Sequence, residues 1–89
     1  MENAMKLSEF NNMAMEVSKR LELKKPEYTS VYSFIEFNTP YYMAQTVIEE
    51  SLIRGAVCST PQAAVNSYED AVVYFLSNGE TMGKIDIEI

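Results

Sequence analysis

The chain has 89 residues, 47% of them apolar and 22% charged, with a net charge of −6 and a single cysteine, Cys58. This is the size of one domain with just enough residues for a single core, and the composition excludes a disordered chain. With no His, no Trp and one Cys, the side chain that titrates nearest neutrality, the common zinc ligand sets and an intrachain disulfide are excluded.

The first predicted element is a helix over about 8–23. Ser8 offers a capping hydroxyl and Glu9 suits the positive helix end. Phe10, Met13, Ala14, Val17 and Leu21 recur at the spacing of one buried stripe. Glu16 and Arg20 stand four apart on the wet side, and Pro26 stops the helix. Residues 28–37 are dense in β-branched and aromatic types, with Tyr28, Tyr32 and Phe34 on one face and Val31, Ile35 and Phe37 on the other. That pattern predicts a strand covered on both sides, although Val31, Phe34 and Ile35 also fit a short helix.

Thr39-Pro40 reads as a helix start, a capping hydroxyl followed by a residue whose missing amide proton is no loss there. Ala44, Val47, Ile48, Ser51 and Leu52 line one face, Glu50 and Arg54 can pair, and Gly55 supplies a left-handed stop, so a second helix is predicted over about 40–54. Thr60-Pro61 repeats the start signal. Ala64, Tyr68, Ala71, Val72, Phe75 and Leu76 continue a stripe that Asn78-Gly79 closes. Ser67 and Asp70 also form a capping pattern, so 61–77 is either one helix or a turn followed by a helix from 68 to 77. Residues 56–59 read as a connector. The tail alternates Ile85, Ile87 and Ile89 with Lys84, Asp86 and Glu88, the pattern of a half-buried strand.

The order is therefore α-β-α-α-β in one domain over 1–89: an α+β fold with three helices packed on a small sheet. Two strands leave unpaired edges, which homodimerisation would complete.

No apolar run is long enough to cross a bilayer, and the first residues lack the basic and apolar blocks of a secretory signal. A cytoplasmic location is the expectation, and the lone Cys58 agrees with it. Residues 1–25 carry a net charge of +1 and residues 26–89 a net charge of −7. An acidic body of this kind repels phosphate, so nucleic acid is not expected as a partner, whereas a basic protein surface is.

Chemistry-bearing groups are sparse. Cys58 precedes a helix start but has no His to act as its base, and a free Cys is usually a small buried hydrophobe. The carboxylates match no calcium loop, and adjacent acids on a helix point apart. No catalytic residue, metal site or cofactor is expected. The surplus of Tyr, an amphipathic residue frequent at interfaces, directs attention to a partner-binding set: Tyr41, Tyr42, Glu49, Tyr68, Glu69, Asp70 and Tyr74. The reading is a small acidic protein-binding module that inhibits or regulates another macromolecule by occupying a basic surface. Its size and composition also suit an accessory protein of a phage or mobile element. The alternative is a small-ligand binder with a Tyr-lined pocket at the dimer interface.

Overall fold

The computed structural model describes residues 6–79. Helix α1 (Leu7–Arg20) leads through a single 3-10 turn (Pro26–Tyr28) into three strands, β1 (Ser30–Glu36), β2 (Thr39–Ile48) and β3 (Ser51–Arg54), and helix α2 (Pro61–Asn78) follows. The strands form an antiparallel meander in the order β1-β2-β3. Two helices flank a three-stranded sheet in the order α-β-β-β-α, which corrects the predicted three helices. The tail strand with Ile85, Ile87 and Ile89 lies outside the described residues.

The helix count fails over 40–54. The two chain reversals that border β2 carry no glycine. Phe37 and Asn38 have φ of 52° and 62°, Glu49 and Glu50 have φ of 51° and 70°, and the registers Glu36↔Thr39 and Ile48↔Ser51 leave two residues in each loop. Positive φ at both central residues marks the turn that matches the twist of paired strands. Once β1 is extended, the segment after a two-residue turn is its nearest partner. The alternation Tyr42, Ala44, Thr46, Ile48 then turns Ala44 and Ile48 inward as a helix would have, but leaves Val47 and Leu52, which the helical stripe would also have buried, on the outer face. Pro40 is tolerated because its nitrogen shares the side of β2 on which Tyr42 bonds Cys58, and no described strand pairs there at position 40.

Gly55 is not a left-handed stop. A Cβ at this position would lie 2.7 Å from the Tyr68 nitrogen, so its absence lets the end of β3 press directly on α2. Gly55 bonds Ala44 (3.0 Å), and Cys58 exchanges both backbone bonds with Tyr42 (2.9 and 2.8 Å). Ala56 and Val57 therefore bulge opposite Met43.

The helices match their stripes. Phe10, Ala14 and Val17 of α1 and Ala64, Tyr68, Ala71, Val72 and Phe75 of α2 are buried with Ala44 and Ile53 of the sheet. Leu76 is the exception, at 51% exposure. The N-cap of α1 is Lys6, whose amide donates to the Glu9 carboxylate (3.2 Å), so Ser8 sits inside the first turn. The helix ends at Arg20, earlier than Pro26 requires. Leu23 and Glu22 donate to Ser18 and Lys19, with Glu22 left-handed at φ 61°, the double-bonded helix ending usually built on glycine. Helix α2 is continuous: Thr60 accepts from the Ala63 amide, and Gly79 closes it at φ 75°. The Ser67 hydroxyl accepts from the Ala56 amide (2.7 Å) and ties the connector to α2.

One polar cluster crosses the core. Ser18, Thr29 and Tyr68 are all buried, with Ser18 Oγ 2.6 Å from both the Thr29 and the Tyr68 hydroxyl and 3.2 Å from the Ala14 carbonyl oxygen. Every proton is used when Ser18 donates to Ala14 and accepts from Thr29 and Tyr68. Ser18→Ala leaves the buried Thr29 and Tyr68 hydroxyls, 3.4 Å apart, only each other as a side-chain partner and is expected to cost about 1–3 kcal/mol, whereas Tyr68→Phe leaves Ser18 and Thr29 bonded to each other and costs about 1 kcal/mol. Urea unfolding of both variants and of the double variant checks this, and the double should cost less than the sum. Thr46 is the counter-case, since its buried hydroxyl has no hydrogen-bond partner among the described residues. Thr46→Val is expected to leave stability unchanged or raise it by about 1 kcal/mol, measured in the same titration.

Candidate functional surface

Both helices cover one face of the sheet, the face bearing Tyr42, Ala44, Thr46 and Ile53. The opposite face carries Tyr32 and Phe34 of β1, Tyr41, Met43 and Val47 of β2, and Leu52 of β3, and no described helix covers it. Tyr32 is 48% exposed, Phe34 43% and Leu52 45%, and Phe37 at the β1–β2 turn is 93% exposed. Side chains on this face are ordered by one another. Phe34 and Tyr41, directly paired across the strands, stack with centroids 5.6 Å apart. Arg54 donates to Gln45 (3.2 Å) and Gln45 donates to the Tyr32 hydroxyl (3.3 Å). The expectation of a strand covered on both sides is thus corrected: β1 is covered on one.

The seven residues singled out from the sequence do not form one surface. Tyr41 belongs to the open face. Its neighbour Tyr42 points the other way, into an edge-to-face contact with Phe10 at 5.6 Å, because successive strand residues alternate. Tyr68 is fully buried and presents nothing to a partner. Glu49 sits exposed in the β2–β3 turn, Asp70 is exposed on α2, and Tyr74 is half-buried on α2. Glu69 takes a bidentate pair of bonds from Arg20 (2.9 and 3.2 Å), tying α2 to the end of α1. Sequence reading missed Phe34, Met43, Val47 and Leu52. The alternation 41, 43, 45, 47 was the signal, hidden by the helical assignment of that segment.

A second concavity, of about 740 Å³, opens at the far end of the sheet. Leu23, Tyr28, Ile48 and Leu76 give it apolar walls. Lys24 and Lys25 stand on one rim, with the Lys25 ammonium 6.0 Å from the centre of the Tyr28 ring. Glu22, Glu49 and Glu50 also border it. Cys58 has its Sγ 3.5 Å from the Ala56 carbonyl oxygen, and its backbone pairs with Tyr42. Among the described residues no three of His, Cys, Asp and Glu converge as a metal site would require, and no helix is long and apolar enough to cross a membrane.

The Arg20 bonds hold the Glu69 carboxyl below the ordinary carboxylate range. A carboxyl lowered in the folded state stabilises above its unfolded titration, and that contribution is lost as pH falls through the folded value. The melting-temperature advantage of wild type over Glu69→Gln is expected to be small, since the pair is solvated, and to shrink below the ordinary carboxylate range and at high salt. Thermal melts across acidic pH check this.

Comparison with protein-family models, with curated proteins and with solved structures finds no match, so function is argued from these surfaces alone.

Proposed function

We propose that this chain is a non-enzymatic protein-binding module whose contact surface is the helix-free face of its sheet. The observation that supports this is the cluster of aromatic side chains Tyr32, Phe34 and Tyr41 at the β1–β2 end of that face, with Val47 and Leu52 exposed beyond the polar Gln45–Arg54 row. Isolated exposed apolar residues are ordinary, but aromatic side chains clustered on a helix-free face are a mark of a binding surface. Rigid aromatic anchors with a polar fringe match the anatomy of interfaces in which a few residues carry most of the affinity.

The rim defines the partner. Glu36 ends β1 and Glu49 and Glu50 form the β2–β3 turn, all exposed, on a chain of net charge −6. The complementary surface has an apolar centre with basic residues around it. Covering such a surface is how this module would inhibit or regulate its partner, and an accessory role for a mobile element acting on host proteins is the narrowest form of the reading. A lone thiol suits a reducing compartment such as the cytoplasm.

Small-ligand binding is the second reading, supported by the cleft with apolar walls and Lys24 and Lys25 on its rim. An amphipathic carboxylate fits that pattern. The cleft lies within one chain rather than at a dimer interface.

Affinity purification with wild type and face variants, followed by titration of the captured protein, separates the readings. Tyr32→Ser and Leu52→Lys are expected to weaken binding by about tenfold or more with circular dichroism unchanged. Association should slow as salt rises, because steering between opposite charges is screened over about 8–10 Å. Equal binding by wild type and both face variants overturns the reading. A melting temperature raised by a fatty acid and lost on Lys24→Ala or Lys25→Ala favours the ligand reading.

A further inference from the structure

We propose that the outer edge of β1 is a self-association site at which two copies of this chain pair antiparallel about Ser33, joining their sheets into one of six strands. It rests on the backbone of the edge rather than on the partner-binding reading, although Tyr32 and Phe34 border both surfaces.

Backbone parity identifies which groups the edge offers. Tyr42 exchanges bonds with Cys58, and Ala44 accepts from Gly55, so the even residues of β2 direct their amides and carbonyls toward β3 and the odd residues toward β1. Tyr41, Met43 and Gln45 stand opposite Phe34, Tyr32 and Ser30. The even residues of β1 therefore bond β2, and Val31, Ser33 and Ile35 direct their amides and carbonyls outward. No described strand pairs with them.

The side chains on this edge complement their own reversal. With Ser33 opposite Ser33 of the second copy, Val31 meets Ile35, Tyr32 meets Phe34 and Ser30 meets Glu36. Each pair lies on one face, as antiparallel neighbours must. The outward-directed residues Val31, Ser33 and Ile35 become the mutually bonded ones, giving six hydrogen bonds. Aliphatic meets aliphatic on the helix side, aromatic meets aromatic on the open side, and no like charges collide. The symmetry is twofold, with the same patch on both copies.

The two edges of the sheet are unequally guarded. Strand β3 has four residues, begins after Glu49 and Glu50, carries Arg54 and runs into the bulge at Ala56 and Val57, all features that blunt an edge. Strand β1 has seven residues, no Pro, no Lys, no bulge and one charge at its end. On its helix-facing side Ile35 is 74% exposed, where pairing would set it beside Val31 of the second copy. Two seven-residue strands bury less than the roughly 1,600 Å² of standard stable complexes, so the dimer dissociates on dilution.

Light scattering across a dilution series tests the proposal. The mass is expected to rise with concentration from 10.1 kDa toward twice that. Ser33→Pro removes an outward amide that β2 does not use, and Ile35→Lys puts a charge on an already exposed position. Both should stay monomeric over the same range with an unchanged circular dichroism spectrum. In a Cys58→Ser background, Ser33→Cys should oxidise to a linked dimer, because bonded antiparallel pairs bring Cα atoms within about 5.5 Å, inside disulfide reach. Asn66→Cys on the exposed side of α2 should not. If Ser33→Pro fails to fold, Ile35→Lys and the cross-link decide. Leu52→Lys, two strands from the edge, keeps the dimer while weakening the partner contact. A monomer up to the solubility limit overturns the proposal. So does a dimer insensitive to both edge variants, one broken by Leu52→Lys instead, or cross-linking no faster than the Asn66→Cys control.

Discussion

Strand β2 is the constraint on which the other elements depend. Among the described strands it alone has partners on both sides, β1 along seven registered residues and β3 with Cys58 along the other edge. Its alternation also assigns every neighbour to a face. Tyr42, Ala44 and Thr46 meet the helices, while Tyr41, Met43 and Val47 look outward. A register shift of one residue would exchange the two sets and place Tyr41, Met43 and Val47 beneath the helices, where Ala44 now lies fully buried. The small size of Ala44 and the missing side chain at Gly55 set how closely α2 approaches, so helix packing and strand register are not separate choices.

The helices were legible because their signals are local. Thr60-Pro61 and Asn78-Gly79 bracket α2, and the stripe from Ala64 to Phe75 needs no knowledge of a partner. Strand β2 was not legible, since Ala44, Val47, Ile48 and Leu52 satisfy helical spacing, whereas the sheet splits them, Ala44 and Ile48 toward the helices and Val47 and Leu52 outward. Only the presence of β1 decides between helix and strand. Reversals that normally announce a hairpin through Asn-Gly or Asp-Gly are written here as Phe-Asn and Glu-Glu, residues that adopt positive φ at a cost of roughly 1–2 kcal/mol each, less for Asn. Pairing of the strands supplies what the turn sequences do not.

The candidate surface was half-legible for the same reason. An excess of tyrosine pointed toward contact surfaces, but which tyrosines face outward depends on register. Tyr41 and Tyr42 are adjacent in sequence and lie on opposite faces of one sheet, and Tyr68 is a core residue whose hydroxyl answers Ser18 and Thr29. The acids fare similarly. Glu69 is committed to Arg20, and Glu49 takes its position from a turn that the helical reading did not contain.

The distribution of strain completes the argument. Among the described residues, three of the five non-glycine residues at positive φ are glutamates, Glu22, Glu49 and Glu50, and all three border the same cleft. Left-handed residues persist only where their surroundings over-determine them. Here a helix ending with two backbone bonds and a tight hairpin each impose the conformation. Glycine or asparagine would satisfy both with less strain but would remove charge from the end of the sheet where the short β3 edge begins. Glutamates at that end keep the β3 edge solvated and repel a like-charged copy, while β1 carries one carboxylate at its far end. The same residues that lower the stability of the turns therefore guard the β3 edge of the sheet and leave the β1 edge with a single charge, the asymmetry on which the proposed self-association rests.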